Sequence, residues 1–258
     1  MSITLDINKQ IAKVTLNRPE VHNAFNEEMV QSLIKTFTEL GKNNDVRVVI
    51  LSSSGKTFCS GADLKWMRSM VNCSFDENIK DAMRLGDMLK SIFYCSKPVI
   101  CRVQGPAFGG GVGIISACDM AVAVESATFS LSEVKIGLIP AVISPFVLLK
   151  MPPSYAQRYF LTAEKFGASE AQKMGLISEV VSSEEALDEL VMNFADAICL
   201  NAPEATSLSK KQIHDIFAKN LEEEVRKAAE TIAERRASKE GQEGMNAFFE
   251  KRTPNWVK

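Results

Sequence analysis

The run Pro98-Val99-Ile100-Cys101-Arg102-Val103, the loop Gly105-Pro106-Ala107-Phe108-Gly109-Gly110-Gly111-Val112-Gly113, and the return Asp119 to Val124 decide the fold. The first run is short, apolar and rich in β-branched residues, which predicts a buried strand. Residues Gly109 to Cys118 can form a helix whose first N–H groups face the loop, and Asp119 to Val124 predicts the next strand. The same order occurs upstream. Val46 to Leu51 reads as a buried strand, SSSGKTFCSGAD (52–63) as a loop, and the chain from there to about Phe93 as one long helical region. Strand alternating with helix predicts an α/β fold built on a largely parallel sheet.

Toward the N-terminus, Ile3, Leu5 and Ile7 and then Ile11, Val14 and Leu16 predict two short paired strands, broken by Asn17-Arg18-Pro19. Asn26 is placed to cap a helix carrying Met29, Leu33, Ile34, Phe37 and Leu40 on one face, with Gly41 at its end. Toward the C-terminus, Ser182 and Glu185 have capping-box spacing, and the pattern beyond Val181 is helical. These readings place an α/β body at 1–195 and a helical part at 196–258.

Composition narrows the function. The chain has 258 residues, 46% hydrophobic and 24% charged, which suits a globular protein with a substantial core. Its 30 Lys+Arg against 32 Asp+Glu, with no long block of like charge, disfavour nucleic acid as a partner. The longest uncharged run, Val103 to Cys118, is shorter than the roughly 20 apolar residues that span a bilayer, so no membrane span is predicted. MSITLDINKQIAKVTL lacks the basic-then-apolar order of a signal peptide, which predicts a cytoplasmic protein. Cys59, Cys73, Cys95, Cys101, Cys118 and Cys199 form no C-x-x-C pair and have only His22 and His214 as imidazole partners, so reduced, mostly buried thiols are expected and no metal site. Cys59, in a glycine-containing loop, is the one thiol placed where it could react.

The two glycine loops, Gly55 to Leu64 and Gly105 to Gly113, carry the chemistry. Gly55-Lys56-Thr57 matches the end of a phosphate-binding P-loop, but the glycine required five positions earlier is Ile50. Gly109 and Gly111 would need a third glycine at Ile114 to make a dinucleotide fingerprint, and Gly111 with Gly113 would need it at Ser116. Ser60 lacks the glycine two positions before it that a nucleophile elbow requires, since Phe58 stands there. The remaining chemical reading is a site of backbone donors, one N–H from each loop, able to hold a thioester oxygen as it becomes an enolate. Without further residues, both loops could equally be tight turns that require glycine.

Asn17-Arg18-Pro19 with Asn23-Ala24, Phe58-Cys59-Ser60-Gly61-Ala62-Asp63-Leu64, Gly109-Gly110-Gly111 before Cys118-Asp119, Ser132 to Pro140 and Glu243 to Arg252 together resemble the enoyl-CoA hydratase/isomerase (crotonase) family, from about Ile11 to Arg252. Within it, Pro19 to Phe25, Ala62 to Arg68 and Pro140 to Pro145 resemble bacterial proteins assigned as methylglutaconyl-CoA hydratases of leucine breakdown. The resemblance implies a crotonase-type spiral of ββα units, a helical C-terminal trimerisation region, and a homotrimer or a homohexamer of two trimers. It implies an acyl-CoA thioester as substrate and no separate cofactor, coenzyme A being part of the substrate.

By the same resemblance the N–H groups of Ala62 and Gly110 form an oxyanion hole, and Ala62, Asp63, Leu64 and Lys65 line the CoA path. Phe248 and Lys251 match positions that contact CoA, typically from a neighbouring subunit. For Asp63 itself a cap on the following helix is the favoured reading over a place near the substrate, and Trp66, Met67 and Met70 suit either an acyl pocket or ordinary core. Family hydratases commonly use two glutamates. Glu133 matches the second, while Gly113 stands at the first. The expected reaction is hydration of a short or branched enoyl-CoA, for instance 3-methylglutaconyl-CoA, with Glu133 as acid and base. Double-bond isomerisation by a single glutamate and CoA binding without catalysis stand as alternatives.

Overall fold

The computed structural model describes residues 1–70 and 73–257. Strands β1 (Ile3–Asn8) and β2 (Ile11–Leu16) form the expected antiparallel pair, joined at Lys9, whose φ is 53°. Helix α1 (Glu27–Lys42) follows. The Asn26 side chain caps it by accepting from the Met29 N–H, Glu27 and Glu28 face its positive end, and Met29, Val30, Leu33, Phe37 and Leu40 are buried. Gly41 lies within this last turn rather than ending it; Asn43 is the C-cap. Strand β3 (Val48–Ser53) is buried along its whole length.

The helical region expected up to Phe93 is divided. Helix α2 (Leu64–Met70) and helix α3 (Phe75–Phe93) are separate, and residues 71 and 72 lie outside the described residues. A new start is written at Ser74: its hydroxyl accepts from the Glu77 N–H while Glu77 accepts from the Ser74 N–H, a reciprocal cap that satisfies two donors at once.

Next come β4 (Val99–Val103), β5 (Ala107–Phe108), α4 (Gly110–Ala117), β6 (Met120–Val124) and β7 (Thr128–Ser130). They are followed by α5 (Ser144–Lys150), α6 (Pro153–Thr162), β8 (Phe166–Gly167), α7 (Ala168–Lys173) and β9 (Glu179–Val181). The strands sort into two sheets. The larger has the order β1-β2-β3-β4-β6-β9, parallel from β2 onward; the smaller is β5-β7-β8. Successive turns of chain thus lay one strand in each sheet before a helix, as with β4, β5 and α4. An isolated bridge from Cys59 to Ala107 ties the loop after β3 to the small sheet in the same way.

Helices α8 (Glu184–Leu200), α9 (Pro203–Phe217), α10 (Leu221–Ala237) and α11 (Lys239–Glu250) complete the chain. The cap of α8 is Ser183, which accepts from Ala186, one residue beyond the Ser182 that the sequence spacing selected. Residue 195 falls inside α8, which packs on β3, β4 and β6, so the chain crosses that position as one continuous helix. Among the described residues, no helix is long and apolar enough to cross a membrane.

Candidate active site

The two glycine loops meet. Phe108 donates its N–H to the Cys59 carbonyl at 2.9 Å, and the Cβ position of Gly61 lies 3.7 Å from the Gly110 nitrogen. The first loop is held from upstream. The Asn23 amide donates to the Ser54 and Thr57 carbonyls at 2.7 and 2.8 Å, and Phe25 and Asp63 exchange backbone bonds around Ala62, through Phe25 N–H to Gly61 O and Asp63 N–H to Phe25 O. The second loop is held by Gly109 N–H to Ser130 O at 2.9 Å. These bonds use the neighbours of Ala62 and Gly110 but leave those two N–H groups without a protein acceptor among the described residues. For Gly110 the reason is its place at the start of α4, where the first helical N–H groups have no partner within the helix.

Both loops open on a cavity of about 190 Å³. Glu133, at the start of a 3₁₀ turn over 133–136, is the one acidic residue on its wall among the described residues. The Glu133 carboxyl lies over Gly109, whose added Cβ would come 2.9 Å from Oε1; with φ at 51° and ψ at −119°, Gly109 also has a backbone conformation that side chains disfavour. Oε2 is buried without a hydrogen-bond partner among the described residues. Burial pushes the Glu133 carboxyl up from 4.5 to about 7, against a smaller lowering by its own backbone N–H. Near neutral pH it is therefore populated in both protonation states, as an acid/base group requires.

Apolar side chains make most of the rest of the wall, including Phe25, Met67, Leu85, Ile143, Ile232 and Met245, with Leu64 and Phe248 half exposed at it. The other expected site residues lie off this wall. Asp63 caps α2, its Oδ1 accepting from the Lys65 N–H at 2.8 Å, and its Oδ2 pairs with Arg18 at 2.9 Å. Burial would raise the Asp63 pKa, but these partners together hold it below the usual carboxylate range. The Trp66 ring stands edge-on to Phe25 at 6.0 Å, and Lys65 is exposed. Lys251 is exposed in the left-handed cap that ends α11.

Gly113, where the resemblance implies a first glutamate, is buried in α4 with the aliphatic Ile143 side chain in the space a Cβ would take. His22 lies in a turn with φ 55°, its Nδ1 3.1 Å from the Thr57 hydroxyl, outside the cavity. Cys59 is buried, and burial raises its thiol to about 12, which removes it as a nucleophile at neutral pH. Among the described residues, no three His, Cys, Asp or Glu side chains are grouped to hold a metal ion.

Several wall residues have no role in the sequence pattern, among them Leu85, Ile143, Ile232 and Arg236. Ile143 belongs to a motif already quoted, without a role. Arg236 is embedded in EEEVRKAAETIAERRA, where one basic residue looks like its neighbours, and only the docking of α10 distinguishes it.

Comparison with known proteins identifies the family. The family model described as Enoyl-CoA hydratase/isomerase matches residues 6–258. Over 258 residues the chain is 31% identical to the (E)-benzylidenesuccinyl-CoA hydratase of Thauera aromatica, covering 98% of each. It is 34% identical to an enoyl-CoA hydratase of Mycobacterium tuberculosis, covering 94% of this chain and 91% of that one. A crystal structure of an enoyl-CoA hydratase from Shewanella pealeana superposes with a TM-score of 0.81 at 39% identity, over 99% of this chain and 96% of the other. The chain belongs to the enoyl-CoA hydratase/isomerase, or crotonase, family. It has the crotonase fold and is an enzyme of that class.

Proposed function

We propose that the protein hydrates a short or branched enoyl-CoA, such as 3-methylglutaconyl-CoA, using Glu133 as its single acid/base. The observation that carries this reading is one carboxyl, raised to about 7, on the same apolar cavity as two N–H groups without protein acceptors. The thioester carbonyl accepts from Ala62 and Gly110. Ionised Glu133 takes a proton from water as the water oxygen bonds to Cβ. The alkene electron pair then moves toward the thioester, and the enolate oxygen gains its charge where the two N–H groups already point. Protonated Glu133 returns its proton to Cα, which regenerates the carboxylate and completes the addition of one water. The hydratase names of the relatives support this direction of chemistry.

Isomerisation is the second reading, favoured by Ile143 at the place where a water-orienting glutamate would project. There Glu133 would remove a proton from one carbon of the acyl chain and return it two carbons away. We further propose that the enzyme assembles as a homotrimer or as a hexamer of two trimers.

NMR of the purified enzyme with 3-methylglutaconyl-CoA in D₂O separates the two reactions. A 3-hydroxy product carrying deuterium at Cα is expected. Movement of the double bond without a hydroxyl product would replace hydration by isomerisation, and an unchanged spectrum would remove this substrate from the reading.

A further inference from the structure

We propose that Arg236 binds a carboxylate at the far end of the acyl group, which makes it a specificity-determining residue for thioesters of dicarboxylic acids. The inference rests on the reading of the Glu133 cavity as the acyl site. Arg236 is the one basic residue on the cavity wall among the described residues. It belongs to the last turn of α10, where that helix packs along α3 closely enough that a Cβ on Gly86 would come 2.5 Å from Val225 Cγ1. The close approach brings Arg236 to two polar residues of α3. Its Nη1 donates to Asp81 Oδ2 at 2.8 Å and to Asn78 Oδ1 at 3.3 Å, and both side chains of the ion pair are largely buried.

One nitrogen of the guanidinium is thereby used. Its Nε and Nη2 donate to no protein acceptor among the described residues. Those two nitrogens form an edge that can grip a carboxylate through two parallel hydrogen bonds. The adjacent Arg235 differs, because its Nη2 reaches the Gly137 carbonyl and Glu240. Tying two helices together needs only the Nη1 contacts. Neither nitrogen is fully enclosed, so an incoming group can reach both, and Leu64, Met67, Leu85, Ile232 and Met245 on the same wall offer no strong acceptor from their side chains. A neutral acyl tail would displace water from the same wall and leave the donors unmet. A tail ending in a carboxylate would satisfy them, with Asp81 and Asn78 fixing the orientation of the fork.

The test is binding of glutaryl-CoA against butyryl-CoA by calorimetry, since the two differ by a terminal carboxylate and neither undergoes hydration. The intact enzyme is expected to bind glutaryl-CoA at least about 10-fold more tightly, as a pocket with polar groups selects a ligand that meets them. Removing both charges in Asp81→Asn/Arg236→Gln avoids a stranded buried carboxylate. It should bring the preference close to one while butyryl-CoA affinity changes by less than about threefold. Arg236→Lys should keep a reduced preference.

Equal affinity of the intact enzyme for the two ligands overturns the inference without need of any variant. Equal weakening of both ligands in the variants also overturns it, because Arg236 would then grip the shared CoA portion or merely hold the helices. Failure of hydration in D₂O with the preference intact would instead overturn the proposed reaction alone.

Discussion

Gly113 and Ile143 compete for one space: a Cβ on Gly113 would lie 2.4 Å from Ile143 Cγ2 and 2.8 Å from its Cβ. Replacing a mid-helix glycine by alanine ordinarily gains roughly 0.5 to 1 kcal/mol. Here the contact reverses the sign, since overpacking a core costs about 1 to 3 kcal/mol and Ile143 is buried. Gly113→Ala is expected to lower the melting temperature, and the added Ile143→Ala should recover part of what each change alone predicts. Thermal melts of the two single variants and the double variant check this; strictly additive losses would show that the two positions do not share space.

Glu133 gives stability a pH dependence of known sign. Its carboxyl is raised from 4.5 to about 7 on folding, so the native chain holds that proton longer than the unfolded chain. Its contribution is intact below pH 4.5 and declines as pH rises through about 7, by about 3 kcal/mol when complete. Urea unfolding of the natural protein and Glu133→Gln at pH 5 and pH 8 isolates the effect. The variant should gain relative stability at pH 8, and a constant difference between the two proteins would contradict the assignment.

In the proposed hydration the same group sets the rate. The kcat/KM for hydration should rise with pH through about 7 as Glu133 ionises. Glu133→Gln should lose roughly 10²- to 10⁴-fold, the usual weight of a general acid/base. Unchanged turnover would remove Glu133 from the reaction.

Gly109 joins the backbone donor to the carboxyl. An alanine there would place its Cβ 2.9 Å from Glu133 Oε1 and disturb the turn that presents the Gly110 N–H. Gly109→Ala is expected to lower kcat by about 10² or more, comparable to loss of one oxyanion donor. Acyl-CoA affinity, measured by calorimetry, should fall far less; parallel losses in both would indicate general damage to the fold.

Light scattering at micromolar concentration should report a mass of three or six chains. Leu148, Leu149, Leu208, Ile213, Ile216 and Phe217 are all exposed in the single chain, which is the pattern left by a surface that another copy covers. A monomer would contradict the proposed assembly.

The α/β alternation was legible because the strands Val48–Ser53 and Val99–Val103 are short, buried and rich in β-branched residues, each leading into a glycine loop, although the first begins two residues later than the pattern from Val46 to Leu51 predicts. Convergence of those loops was legible only through resemblance, since no local pattern states that Phe108 will bond to Cys59. Helix limits were less readable. The cap at Ser74 lies inside a continuous helical pattern, and Ser183 competes with Ser182 for the same role one residue away. Glu133 was identified from its motif, but its raised pKa depends on burial contributed by distant segments. Arg236 was hidden for a different reason: its significance depends on Asp81, 155 positions earlier in the chain.

The cavity wall also has an order in time. Leu64, Met67 and Leu85 are made well before Ile232, Arg236, Met245 and Phe248, which come from α10 and α11. A nascent chain can lay down its sheet and both glycine loops while that apolar wall is still uncovered. The enclosure that isolates Glu133 is thus completed only after α10 and α11 have been made, and until then the apolar wall is a sticky face that the folding chain must shield.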